Sequence, residues 1–96
     1  IFVLHDNAYS ELVYDGAKCG SFLQYRGAKD VGVEFNSLSK TYGLAGARIG
    51  FALGNAEMIA KLKALKSNLD YGMFLPIQKG GAHRPAGLRG NDPPRL

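Results

Sequence analysis

Three short apolar runs, each closed by polar or glycine residues, and one long amphipathic stretch after the third constrain this chain's fold more than any other feature. The first run, Ile1-Phe2-Val3-Leu4-His5, ends in Asp6-Asn7, the pattern of a buried strand running into a loop. In the second, Val33, Phe35, Ser37 and Ser39 alternate, which predicts a strand carrying them on one face. The third, Ile49-Gly50-Phe51-Ala52-Leu53-Gly54, predicts a strand of small residues that closes at Gly54. Asn55 then stands where an N-cap belongs, with Glu57 in the first turn. Met58, Leu62, Leu65 and Leu69 recur at helical spacing, so a helix over about residues 56–68 with a core-facing stripe is expected. Asp70-Tyr71-Gly72 ends it, and Pro76 suits the first turn of a second helix. Between these elements, residues 8–14 fit a short helix or an extended segment. Asp15-Gly16 is a turn, and residues 17–30 read as loop with one short element around Ser21–Tyr25. The glycines of residues 41–48 predict a tight loop after Lys40.

With 96 residues the chain amounts to one small domain. A domain of that size buries only about 60–65% of its unfolded surface, so its stability is expected to be marginal. The apolar fraction of 46% and charged fraction of 21% are those of ordinary soluble proteins, and no apolar run is long enough to predict a membrane span. The beginning has no initiator Met, no basic region and no cleavage site, so it is not a signal peptide and reads as a chain cut at the start of a strand. The lone Cys19 excludes an internal disulfide, reads as a bystander thiol in a loop, and points to a reducing, cytoplasmic setting.

The net charge of +4 is unevenly spread. Residues 1–78 hold eight Lys/Arg and seven Asp/Glu, whereas residues 79–96 hold four Lys/Arg and one Asp. Nothing in the body forms a nucleic-acid footprint, and the scattered basic residues of the tail support at most weak, nonspecific binding. That tail, rich in Gly, Pro and Arg, has no periodicity and is expected to be disordered. A second expectation is a frame-shifted continuation of a GC-rich gene, because a helix begun at Pro76 stops almost at once.

The chemistry-bearing residues fall in two groups. Lys40 follows the second strand, with Ser37 and Ser39 just before it and Arg48 eight residues on. A lysine amine attacks an aldehyde only when neutral, and a cationic neighbour or desolvation makes it so. Hydroxyls, a guanidinium and free backbone amides together suit a phosphate. The same residues also fit a surface lysine in a turn with Arg48 in a salt bridge. Asp6 and Tyr9 form the second group, at the strand edge where open α/β sheets bind ligands. A carboxylate there can pair with a protonated ring nitrogen and a phenol can reach the same ligand; the alternative is a helix cap and interfacial packing. Ser39-Lys40-Thr41 faintly resembles the end of a phosphate-binding P-loop, but the glycine before the lysine is missing.

Taken together, the two groups resemble a known family. Ser37-Leu38-Ser39-Lys40, a glycine-rich stretch, and Gly46-Ala47-Arg48-Ile49-Gly50 closely resemble the cofactor-lysine signature of class I/II aminotransferases, the fold-type I pyridoxal-phosphate (PLP) enzymes. Asp6-Asn7-Ala8-Tyr9 resembles that family's Asp-x-Ala-Tyr motif, and the order and separation of the two motifs also match. Residues 65–78 are similar to the branch that includes LL-diaminopimelate, aspartate, alanine and methionine aminotransferases.

The resemblance covers residues 1–78, as part of an α/β large domain with a mostly parallel sheet. It implies PLP as cofactor and Lys40 as the Schiff-base lysine that also shuttles the substrate's proton. It implies Asp6 on the pyridinium nitrogen, Tyr9 on the ring 3-oxygen, and Ser37 and Arg48 on the phosphate; Ser39 matches a variable position. The substrates implied are an amino acid and a 2-oxo acid, in a cytoplasmic enzyme of amino acid biosynthesis that forms a homodimer at full length. Other fold-type I chemistries, such as carbon–sulfur lysis or decarboxylation, use the same scaffold. The family's glycine-rich cofactor loop, ring-stacking aromatic residue, upstream asparagine and C-terminal substrate-gripping arginine have no counterpart. The chain is therefore expected to be the middle of a roughly 400-residue protein by the family's size, and inactive or nearly so alone.

Overall fold

The computed structural model describes residues 1–82. Its frame is a three-stranded sheet in the order β1-β2-β3, with β1 at Val3–Asp6, β2 at Gly32–Ser37 and β3 at Gly50–Gly54. β1 and β2 run parallel, Val3 opposite Gly32 through Asp6 opposite Phe35, while β3 runs antiparallel to β2 from Gly54 opposite Val33 to Gly50 opposite Ser37. The α/β expectation holds, with one parallel and one antiparallel pairing among the described residues.

The middle strand carries the core. Val33 is 2% exposed and Ala28, in the short helix α1 (Ala28–Val31), is also buried. Two glycines let neighbours approach β2. A Cβ on Gly32 would lie 2.4 Å from the Phe22 ring, and one on Gly54 would lie 2.2 Å from the Gly32 carbonyl oxygen. Gly54 also has a φ of +139°, which side-chain-bearing residues rarely adopt.

β2 ends earlier than the alternation through Ser39 suggested. Ser37 has extended backbone, and its Oγ accepts a hydrogen bond from the Ser39 amide at 3.2 Å. That cap starts a single helical turn, α2 (Leu38–Thr41), so Ser39 and Lys40 are helical and Ser39 leaves the strand face. Gly43 (φ +63°) and a 3₁₀ turn at Ala45–Ala47 lead back to β3. Elsewhere, residues 8–11 form a turn and residues 12–14 are irregular, resolving the open choice there as neither helix nor strand. A 3₁₀ turn at Phe22–Gln24 fills the short element expected near Ser21–Tyr25, whereas α1 was not foreseen.

The long helix, α3, spans Ala56–Leu69. Asn55 caps it: its Oδ1 accepts from the Met58 amide at 2.9 Å, its Nδ2 donates to the Asp30 carbonyl at 2.9 Å, and its own amide donates to the Gly32 carbonyl at 2.8 Å. One residue thus starts the helix and ties it to α1 and β2. The apolar stripe is only half used. Met58, Ile59 and Leu62 are partly buried, but Leu65 and Leu69 are 59% and 72% exposed, against the expectation of a core-facing stripe along the whole helix. The helix closes at Asp70, whose carboxylate pairs with Lys66, and at Tyr71 and Gly72, both with positive φ. A final helix, α4 (Leu75–Ala82), starts one residue before Pro76 and runs through Lys79–Ala82, further than the sequence pattern implied. Residues 83–96, most of the expected tail, lie outside the described residues. No helix among the described residues is long and apolar enough to cross a membrane.

Candidate active site

Parallel pairing brings the C-terminal ends of β1 and β2 to one edge of the sheet, and the antiparallel β3 begins at that edge. Asp6, Ser37 and the Arg48–Gly50 return therefore meet there by topology alone. Asp6 lies beside Phe35, which shares a face of β2 with Ser37. Its side chain is exposed and makes no hydrogen bond or ion pair among the described residues.

The turn after β1 carries Tyr9 over the same edge. The Asn7 amide donates to the Phe35 carbonyl at 2.8 Å, continuing the ladder by one bond. The Ser10 amide then closes on the Asn7 carbonyl at 3.1 Å, and the Ser10 hydroxyl donates to Asn36 Oδ1 at 3.2 Å. Tyr9, held inside this turn, presents its ring to Lys40: Nζ stands 5.3 Å from the ring centroid, within cation–π range. Residues from the two separate sequence groups thus meet in space.

The phosphate-type residues meet through the Ile49 carbonyl. That oxygen accepts from the Leu38 amide at 3.1 Å and from the Ser37 hydroxyl at 3.5 Å, so the start of α2 is tied to the residue after Arg48. Arg48 has a left-handed backbone (φ +54°), an unfavourable state for a residue with a side chain and one that clusters at ligand sites. Its Nη1 donates to the Ala45 carbonyl at 3.1 Å, and the group is exposed. No ion pair to Arg48 or Lys40 is found among the described residues, so the salt-bridge alternative finds no partner there.

Behind the edge lies a cluster that sequence reasoning missed. Glu34, in the centre of β2, is 4% exposed. Its Oε2 accepts from Ser21 Oγ at 2.5 Å, the Phe22 amide at 3.0 Å and His5 Nδ1 at 3.1 Å. Its Oε1 accepts from Asn36 Nδ2 at 2.9 Å and Asn7 Nδ2 at 3.1 Å. Burial pushes the carboxyl's pKa up, but the hydrogen bonds from Ser21, Asn7, Asn36 and His5 together outweigh it and hold the group at about 2. The signal for this cluster was a charged residue inside the apolar run Val33-Glu34-Phe35, with His5 inside the first run.

The site's donor set fits a phosphorylated pyridine aldehyde. The open carboxylate of Asp6 suits a protonated ring nitrogen, the Lys40 amine an aldehyde, and Ser37 with Arg48 a phosphate. Comparison with known proteins gives the family. The family model for aminotransferase class I and II matches residues 1–76. LL-diaminopimelate aminotransferase 2 of Trichormus variabilis is 56% identical over 79 residues, covering 82% of this chain and 20% of the relative. Glutamate-pyruvate aminotransferase of Escherichia coli is 51% identical over 78 residues, 81% of this chain and 19% of the relative. The structure of an aminotransferase from Staphylococcus aureus superposes with a TM-score of 0.74 at 42% identity, covering 80% of this chain and 20% of that one. The chain spans about a fifth of the length of the curated relatives it matches. Motifs, sheet edge and relatives converge: this chain belongs to the class I and II aminotransferases.

Proposed function

We propose that the protein carrying this chain binds PLP and moves an amino group between an amino acid and a 2-oxo acid, with Lys40 as its cofactor lysine. The observation that carries this reading is the meeting of Lys40 Nζ with the Tyr9 ring at the sheet edge that also holds Asp6. When bound, PLP supplies an electron sink for the bonds at the substrate's α-carbon.

The chain's own residues supply the rest. Lys40 would offer the amine that holds the cofactor's aldehyde carbon, and its Nζ would accept and return the substrate's α-proton. Asp6 keeps a proton on the ring nitrogen through a charge-assisted hydrogen bond. The Tyr9 phenol donates to the ring's 3-oxygen, while its ring face beside Nζ orients the lysine. Arg48 grips the phosphate with its planar fork, and the Ser37 hydroxyl, whose bond to the Ile49 carbonyl is long at 3.5 Å, turns to the same group. The relatives' names span LL-diaminopimelate and glutamate-pyruvate exchange, which supports an α-amino acid donor as the substrate class. A homodimer and a cytoplasmic setting, suited to the exposed free thiol of Cys19, complete the proposal.

The decisive test uses a complete enzyme: the Trichormus relative carrying this chain's residues 1–76 at the matching position. The graft is loaded with PLP, reduced with borohydride and mapped by peptide. The expected result is a pyridoxyl label on Lys40. A label on another lysine, or no label, would overturn the assignment.

A further inference from the structure

The buried carboxylate of Glu34 stands outside the roles assigned above, yet five donors converge on it. Alternation along the strands puts His5, Glu34 and Asn36 on the face of the sheet opposite to Asp6 and Ser37. The partners of Glu34 are the sequence neighbours of the site residues. His5 precedes Asp6 and Asn7 follows it, and both side chains donate to this one carboxylate. Asn36 precedes Ser37, donates to the same group, and through Oδ1 accepts from Ser10, which follows Tyr9.

We propose that Glu34 is a positioning residue: from the back of the sheet it sets the placement of Asp6 and Tyr9 relative to Ser37 and Lys40. This inference rests on the reading of those four residues as the PLP site. The chemistry calls for a carboxylate. The group receives five donors and must donate to none of them, which an ionised, acceptor-only side chain does and an amide does not. The Phe22 amide is a fixed backbone donor that cannot reverse. A glutamine must therefore turn its NH₂ toward Asn7 and Asn36, whose amides would have to flip to receive it. The flip of Asn36 passes to Ser10, and so to the Tyr9 turn.

The test uses the same grafted enzyme as holoenzyme, with Glu34→Gln and, as a variant that leaves the buried cluster's charge intact, Ser10→Ala. Each is read for PLP dissociation constant, for the pH midpoint of the bound cofactor's absorbance, and for thermal unfolding. At metal sites, loss of a group that orients the ligands typically costs about 10–100-fold in affinity, and the lower end of that range is expected for PLP. Glu34→Gln is expected to weaken PLP binding by about that factor and to move the absorbance midpoint. Ser10→Ala is expected to move the midpoint in the same direction with unfolding temperature nearly unchanged. If PLP affinity and midpoint stay at the parent values in both variants, with only thermal unfolding altered, Glu34 is structural and the inference fails. If the borohydride label misses Lys40 in the parent graft, the functional reading fails first and this inference with it.

Discussion

The two halves of β2 are built on opposite principles. Around Glu34 the polar groups are buried or half-buried and paired, and the carboxylate is held by side chains from β1, the turn after it, the loop before α1 and β2 itself. At the edge where β2 ends the candidate groups stand in the open: Lys40 Nζ lies over the Tyr9 ring, Arg48 donates to the Ala45 carbonyl, and Asp6 has no hydrogen-bond or ion-pair partner among the described residues. A fully satisfied polar network in low dielectric is stiff, because breaking any member strands several others. The groups proposed to bind a cofactor and exchange a proton are not committed that way. The scaffold half spends its polar groups on each other, and the half proposed as the site leaves them open.

This contrast can be broken most sharply at Lys40. Lys40→Ala in the grafted enzyme is expected to lower amino transfer by about 10³-fold or more, the scale of losing a positioned acid–base group, and to abolish borohydride labelling. Because the side chain is exposed, unfolding free energy should move by less than about 0.5 kcal/mol, measured by urea titration.

Acid probes the other half. A carboxyl with a pKa of about 2 folded and 4.5 unfolded stabilises the fold fully above about pH 4.5, and that contribution disappears as pH falls toward 2. Its size is of order 3 kcal/mol. Urea unfolding between pH 6 and pH 2.5 should show this loss in the parent graft and a flatter profile in Glu34→Gln.

The smallest expected effect lies at Asn55, which belongs to neither half but joins α3 to the sheet. Asn55→Ala should cost about 1–2 kcal/mol, a cap's worth and somewhat more for the bond to Asp30, without moving PLP affinity. A change in PLP affinity would mean that α3 also positions the site.

Much of this was legible because the signals were short-range. Asn55, Glu57 and the 3.6-residue recurrence foretold α3 to within a residue or so, since a cap and an amphipathic stripe are written within a few positions. Asp15-Gly16 turned as expected, both with positive φ. The site residues Asp6, Tyr9, Ser37, Lys40 and Arg48 were picked out as two groups, and their motifs carried the family resemblance. Less legible was the turn that holds Lys40. Alternation through Ser39 matched a strand, but the Ser37 cap and the return bond from Leu38 to Ile49 favoured helix, and that bond depends on a residue eleven positions away.

By itself, then, the sequence determined which residues are candidates for the chemistry, roughly where the strands and the long helix lie, and which family the chain belongs to. Each of these is read from local residue order. Only the tertiary structure decided that Lys40 faces Tyr9, 31 residues away, and that Glu34 gathers donors from as far as His5, 29 residues away. The physical reason is that both contacts are made by parallel pairing of β1 with β2. The pairing register is selected by which side chains become buried together, and no stretch of neighbouring residues records it.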